Sequence, residues 1–331
     1  QMLRDTTLAA GLASLGGVWT DRAAARSQSP NDKLNIACIA CGGMGAADLN
    51  AVSSENIVVL CDVDDARAAD AYKRYPNVPH YRDFRRMLDE TRPQGAIVAT
   101  PNQHHATAGL SCIERGIPAL IEKPLADGVR GAVELVEASR RAGVPILTGH
   151  HRRHNPIMRA ASELVRGGGV GRVTAVVAMW LSRKPDDYYN VAWRREPGGG
   201  TVLINGIHDI DCLRMMCGEI DSVQAFTANG ARGFAVEDTA VACLRFKNGA
   251  LGVIQAATSI YPGLPKTIAV HGDRGSVVVE QEDVLRWEFT PESPEDRAVR
   301  ERFAQKVGAS GGASNPAAIS HEYHRRQLAD F

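Results

Sequence analysis

Lys33-Leu-Asn-Ile-Ala-Cys-Ile-Ala-Cys-Gly-Gly-Met-Gly45 is the stretch on which the fold turns. Its first eight residues, Lys33 to Ala40, are mostly apolar and read as a central strand that runs directly into Cys41-Gly42-Gly43-Met44-Gly45. A helix is expected from Ala46 to about Ser53. Glycines let the backbone turn tightly and approach a pyrophosphate, whose negative charge a helix N-terminus accepts. The next apolar run, Ile57 to Cys61, ends at Asp62, 20 residues after Gly42. A carboxylate there can accept hydrogen bonds from both adenosine ribose hydroxyls while repelling the extra phosphate of NADP, so NAD is the favoured cofactor. Ala40 stands where the first glycine of G-x-G-x-x-G is usual, and its methyl fits if its backbone angles are ordinary. Cys38 and Cys41 form a C-x-x-C with no second pair beside it, which reads as core packing, and no metal is expected.

Outward from this turn, helices and strands alternate. Helices are expected near Asp64 to Tyr75, Tyr81 to Thr91, His104 to Gly116 and Gly128 to Ala142. The intervening strands are Gly95 to Thr100, Pro118 to Ile121 and Val144 to Gly149. Such alternation makes a parallel sheet covered on both faces, with functional loops at the carboxyl ends of its strands. Asn102, His105, Glu122, Lys123 and His150 all fall in those loops.

The whole chain has 331 residues, 44% of them hydrophobic, enough for two domains that each bury a core. Its 38 basic and 38 acidic side chains cancel, so no global field attracts nucleic acid or an anionic membrane. Seven cysteines are an odd number without a dense framework, which argues against a disulfide-held fold. The apolar segment Leu8 to Thr20 is too short and glycine-rich for a transmembrane anchor. It reads either as an export-signal remnant or as a frayed arm, and residues 1–30 stand outside the fold. A cytoplasmic location is favoured, with a periplasmic one following if that segment is an export signal.

Glu122-Lys123-Pro124 follows a buried-type strand directly, and Gly198-Gly-Gly-Thr-Val-Leu-Ile-Asn-Gly-Ile-His208 comes later in the chain. With the glycine turn and Thr100-Pro101-Asn102, these motifs resemble the glucose-fructose oxidoreductase, inositol dehydrogenase and rhizopine-catabolism (Gfo/Idh/MocA) family, over nearly everything from residue 33 onward. The resemblance implies an α/β Rossmann-type parallel-sheet domain, residues 31–150, that binds NAD. An α+β domain with an open, mostly antiparallel sheet, residues 151–331, would bind substrate and support a homo-oligomer. It also implies oxidation of a sugar, cyclic polyol or related alcohol. Lys123 matches the active-site lysine, with Glu122 and Pro124 holding its loop, and Asn102 and His105 match positions near the cofactor. The expected cofactor set is Gly42, Gly43, Met44, Gly45, Asp62, Thr100, Asn102, His105, Glu122 and Lys123.

In the second half, a helix is expected at Pro156 to Arg166, and strands at Arg172 to Trp180, Ile220 to Thr227, Thr239 to Phe246, Ala250 to Ala257, Thr267 to His271 and Ser276 to Val279. Asn248-Gly249 is a hairpin signal. His208 can sit beside Lys123 across the cleft as proton acceptor, so Lys123 and His208 are the catalytic candidates. The familiar pattern often has an aspartate four residues before that histidine, where this chain has Ile204, with Asn205 adjacent but uncharged. Asp209 is read as a cap or surface residue, and Asp211 as orienting a neighbouring group. Lys184, Tyr188 and Trp193 mix cations and aromatics suited to a polyhydroxylated or carboxylated substrate. The substrate set is completed by Lys123, Arg153, Asn205 and His208. Two rival readings remain open: a glycoside hydrolase that oxidises its sugar transiently through retained NAD, and a non-catalytic nucleotide-binding protein. Gly308 to Asn315 reads as a flexible loop, and the C-terminus as truncated.

Overall fold

The computed structural model describes residues 33–281, 283–303 and 322–330. The expected N-terminal arm and the Gly308 to Asn315 loop lie outside these residues. The opening strand is β1 (Asn35–Ile39), and it passes through the glycine turn into α1 (Met44–Ala51) and β2 (Asn56–Cys61). Alternation continues through α2 (Asp65–Arg74), β3 (His80–Tyr81), α3 (Phe84–Thr91), β4 (Gly95–Val98), α4 (Asn102–Glu114), β5 (Ala119–Ile121), α5 (Val129–Ala142) and β6 (Ile146–Thr148). Short polar side chains cap two of these helices: the carboxylate of Asp64 accepts from the amides of Ala66 and Arg67 ahead of α2, and that of Asp83 from the Arg85 amide ahead of α3.

The first sheet runs in the order β3-β2-β1-β4-β5-β6, and every pairing is parallel. Chain direction across the sheet reverses at the β1/β4 neighbours, the switch point at which such sheets bind ligands. Period-two alternation of β1 feeds two cores. Ala37 and Ile39 pack with Ala108, Cys112 and Leu135 on one face, and Ile36 and Cys38 pack with Leu49, Leu60 and Ala68 on the other.

The second sheet is built from β7 (Val173–Leu181), β8 (Ile220–Ala228), β9 (Thr239–Phe246), β10 (Leu251–Ala257), β11 (Thr267–Gly272), β12 (Gly275–Glu280) and β13 (Asp283–Phe289). Its order is β13-β12-β11-β7-β10-β9-β8, antiparallel except for β7 against β10. α6 (Pro156–Arg166) and α7 (Ile207–Cys217) cover one face, contributing Ile157, Ala161 and Leu213 to a core with Val176, Phe246 and Trp287. On the opposite face Phe226, Val241 and Leu251 are 79%, 37% and 54% exposed, with Phe226 paired directly across from Val241. α8 (Pro294–Arg302) follows β13.

α9 (Glu322–Asp330) lies inside the stretch assigned by sequence to the second domain, yet it packs against α1 of the first domain and the turn at His151–His154. Leu328 joins the core of Ile36, Cys38 and Leu49, and the Gln327 amide donates to the Thr148 carbonyl at 2.6 Å. An apolar side chain on a helix buries against whichever sheet face offers a gap, and chain order does not settle which. Six of the seven cysteines are buried and all are free thiols, Cys243 being exposed. Among the described residues, no helix is long and apolar enough to cross a membrane.

Candidate active site

The glycine turn begins with a strained residue. Ala40 has φ 70°, in the left-handed region that favours glycine, so the ordinary backbone angles expected of it are not what it adopts. Its conformation follows from crowding in the turn: a Cβ on Gly45 would lie 1.8 Å from the Ala40 carbonyl oxygen. Only glycine at 45 lets the strand end and the helix start approach this closely. α1 begins at Met44, two residues earlier than the expected Ala46, and Gly43 caps it without any side-chain hydrogen bond. At the end of β2 the Asp62 carboxylate accepts from the Cys41 and Asp64 amides at 2.8 and 3.0 Å, which fixes it over the turn.

Behind the turn, the loop after β5 is held from several sides. The two ring nitrogens of His105 lie 2.5 and 2.7 Å from the carbonyl oxygens of Pro124 and Thr100. His105 is 1% exposed and burial lowers its pKa. Both its nitrogens are thus occupied in tying two loops together, rather than reaching a cofactor. Asn102 is likewise buried, donating to the Gly198 carbonyl at 2.8 Å and linking the first sheet to the triple glycine. The Thr100 hydroxyl oxygen is buried without a partner.

Glu122 faces inward. Its Oε2 accepts from the Lys123 amide, while Oε1 has no hydrogen bond. Asp48 of α1 is fully buried with neither carboxyl oxygen hydrogen-bonded, and it forms a group with Glu122 and His324 whose ligand atoms lie within 4.8 Å of one another. Burial and the charge of Glu122 raise the Asp48 pKa well above the ordinary value, and burial pushes Glu122 up to about 7. Two carboxylates and an imidazole form a donor set compatible with shared protons or with a divalent cation.

Lys123 reaches the other way, into a cavity of about 260 Å³ between the two sheets. Its Nζ donates to the carbonyl oxygen of Ile204 at 2.9 Å. The main chain at 204 thus meets the lysine where the familiar pattern offers a carboxylate. Residues Val202–Gly206 wind as a π-helical turn leading into α7, a wider winding that is frequent at functional sites. Burial lowers the Lys123 pKa, with Arg152 and Arg194 lowering it further against the pull of Glu122.

His208 lies on the same cavity, 6% exposed, with Nδ1 unpartnered. Burial first, then Lys123 and Arg152, hold its pKa well below the ordinary value, so the ring is neutral near pH 7. Its ring meets that of His151 edge-on at 4.8 Å, and His151 stacks on His324 at 3.9 Å.

Of the expected substrate residues, Lys123, Lys184, Tyr188, Asn205 and His208 line this cavity. Arg153 does not: its guanidinium holds Asp211 at 2.8 and 2.6 Å, and the neighbouring Arg152 lines the cavity instead. Trp193 is also displaced by its neighbour, with Arg194 on the cavity. Asp209 is no surface cap; it is 1% exposed and accepts from Arg152 at 2.6 Å. Asp211 does orient neighbours, facing His150 at 3.7 Å besides Arg153.

Comparison with known proteins agrees with this architecture. Residues 34–150 match the oxidoreductase family with an NAD-binding Rossmann fold, and residues 158–278 match the GFO/IDH/MocA C-terminal domain. The inositol 2-dehydrogenase of Rubrobacter xylanophilus is 30% identical over 75% of this chain and 72% of its own. The chain belongs to the Gfo/Idh/MocA oxidoreductase family. Another relative, inositol 2-dehydrogenase 2 of Saccharopolyspora erythraea, is 29% identical over 82% of this chain and 80% of its own. Among solved structures, the WlbA dehydrogenase of Bordetella pertussis, in complex with NADH and UDP-GlcNAcA, shares the fold with a TM-score of 0.78. That match has 24% identity and covers 90% of this chain and 93% of that one.

Within this Gfo/Idh/MocA chain, sequence reasoning missed Asp48, His151, Arg152, Arg194 and His324. Arg152 and Arg194 each adjoin a residue that was chosen, and only the turn geometry decides which of two neighbours faces inward. Asp48 and His324 are 276 positions apart and carry no local signal of their meeting.

Proposed function

We propose that this oxidoreductase takes hydride from a hydroxyl-bearing carbon of a sugar or cyclic polyol, using NAD, with Lys123 and His208 handling the hydroxyl proton. The observation that carries the reading is Lys123 Nζ, buried, held at 2.9 Å by the Ile204 carbonyl and sharing one cavity with His208 and with Met44 of the glycine turn. The curated relatives named above act on inositol.

The turn suits NAD. Gly45 leaves room that a Cβ would fill, no side chain caps α1 in place of a pyrophosphate, and Asp62, held at the end of β2 beside the turn, would meet the ribose. Gly42, Gly43, Met44, Gly45 and Asp62 would hold the dinucleotide, while Thr100, Asn102, His105 and Glu122 shape the loops around it. Bound NAD supplies the hydride acceptor.

Burial leaves part of the Lys123 population as the free amine below its ordinary pKa. The amine accepts the hydroxyl proton at Nζ as the carbon–hydrogen bond breaks, while the Ile204 carbonyl keeps it aimed. His208, neutral and in the same cavity, takes the proton onward. Tyr188 and Asn205 position the remaining hydroxyls, and Lys184 stands beside them on the same cavity. A second copy of the chain is the proposed partner, covering the apolar sheet face around Phe226.

The test is NADH formation by the purified protein across sugars and inositols. Lys123→Ala should lower kcat by about 10²- to 10⁴-fold, the usual contribution of a positioned acid–base group, with NADH affinity retained. Full turnover by that variant would remove Lys123 from the chemistry. Glycoside cleavage with no net NADH would replace a dehydrogenase with a hydrolase that keeps its cofactor.

A further inference from the structure

The protein as a whole has no net charge, but its cavity does. Lys123, Arg152, Lys184, Arg194 and Lys266 line it, and Asp209 is the one carboxylate among the described lining residues. That carboxylate is already committed to Arg152 at 2.6 Å. Asp209 also feels the charge of Lys266, and Glu122 pulls on Lys123 from behind the wall, so the two lining cations that face no carboxylate among the described residues are Lys184 and Arg194.

Two of these cations are built into a single stack. Both lie over the Tyr188 ring, with Lys184 Nζ 5.1 Å and Arg194 Cζ 3.8 Å from its centroid. Arg194 also donates to the Tyr188 carbonyl at 2.6 Å, and its Nε is buried with no partner. Lys184 is 6% exposed, and its ammonium meets the Tyr188 ring, with no carboxylate paired to it among the described residues. Burying two like charges on one ring is unfavourable unless something else compensates them. Lys184 is pushed down to about 8 by burial and by Lys123 and Arg194, so it still carries its charge at pH 7.

We propose that Lys184 and Arg194, stacked on Tyr188, form a subsite for an anionic group of the substrate, a carboxylate or phosphate, so that the preferred substrate is an acidic sugar derivative. The inference rests on the dehydrogenase reading and narrows its substrate class. The subsite belongs to the segment after β7, whereas a dinucleotide pyrophosphate would meet the glycine turn before α1. One anion placed against Lys184 and Arg194 supplies the charge the wall lacks and relieves their mutual repulsion. It also fixes the sugar ring from one end while Lys123 and His208 meet a hydroxyl at the other.

The test uses matched probes on the NADH-saturated full chain at pH 7: glucose against glucuronate, galactose against galacturonate, and mannose against mannuronate. Glucose 6-phosphate and galactose 6-phosphate form the phosphate arm. Calorimetric titration should give at least one acidic member a Kd at least about tenfold lower than its neutral partner, the ratio a single charge-assisted hydrogen bond produces. Preference for the uronate or for the phosphate ester identifies which anion the subsite takes. In Lys184→Met and Arg194→Gln that ratio should fall to within about threefold, with NADH affinity measured alongside to verify the fold.

Equal or absent binding for every pair would overturn the subsite. So would variants that weaken neutral and acidic probes alike, which would show that these cations act only on Lys123 or on local packing. If acidic probes bind preferentially but none reduces NAD, the subsite stands and the dehydrogenase reading falls. If neutral sugars reduce NAD with no preference for acidic ones, the reverse holds.

Discussion

At the scale of single residues, the most informative position is Ile204. Where a carboxylate would hold Lys123 by charge, this chain holds it by a carbonyl oxygen at 2.9 Å, and the isoleucine side chain faces the cavity. A carbonyl aims an ammonium without stabilising its charge as strongly, so burial and two nearby arginines prevail and the lysine pKa is lowered. Ile204→Asp should place an opposite charge beside the ammonium and raise that pKa. The acidic limb of the kcat/KM profile, on which the rate climbs as Lys123 loses its proton, should then move to higher pH. An unmoved limb would mean that another group sets it. Lys123 and His208 were legible in the sequence because a motif names them. Arg153 and Trp193 were misplaced because nothing in Arg152-Arg153 or Trp193-Arg194 tells which of two adjacent side chains a tight turn will direct inward. Ala40 was legible as an irregularity, but its positive φ became visible only once the Gly45 contact set the geometry.

Elements were easier to read, and for a physical reason. Hydrophobic period and turn chemistry are local, so α6 begins and ends where expected and β9 matches Thr239–Phe246. The Asn248-Gly249 hairpin joins β9 to β10 with Gly249 at φ 89°. Strand β13 went unread because its segment, Asp283–Phe289, mixes charged residues with Val284 and Trp287 and has only short apolar stretches. It is a strand because Trp287 pairs with Val277 of β12 and both complete the core, a long-range condition. The outer face of the same sheet carries the assembly prediction. Phe226 and Val241 side by side, with Leu251 nearby, make an apolar surface on regular strands that a second copy can cover. The wild type should therefore sediment as a homo-oligomer at micromolar concentration, and Phe226→Arg should shift it toward monomer with unchanged circular dichroism. A wild-type chain that sediments as a monomer would refute the assembly.

Across the whole molecule, burial of titratable groups between and beneath the two sheets sets two opposing responses to pH. His151 and His208 have pKa values held well below their ordinary value, chiefly by burial, so the unfolded chain binds protons that the folded chain refuses. Stability from each is intact above about pH 6.5 and is lost as pH falls below it, at about 1.4 kcal/mol per pH unit for a fully excluded proton. Asp48 and Glu122 work in the opposite sense. Their pKa values are raised by burial, Glu122 to about 7, so the folded chain holds protons that the unfolded chain releases above about pH 4, and stability falls as pH rises through that window. The wild type should show a flattened dependence between pH 5 and 6.5, where the two trends overlap. Removing one side at a time should tilt it. His208→Gln should gain stability relative to wild type as pH drops from 6.5 to 5, by up to about 2 kcal/mol. Asp48→Asn should gain relative to wild type as pH rises from about 4 toward 7. Denaturant midpoints for the three proteins across that range decide the matter: parallel curves would show that neither buried group changes its proton occupancy on folding.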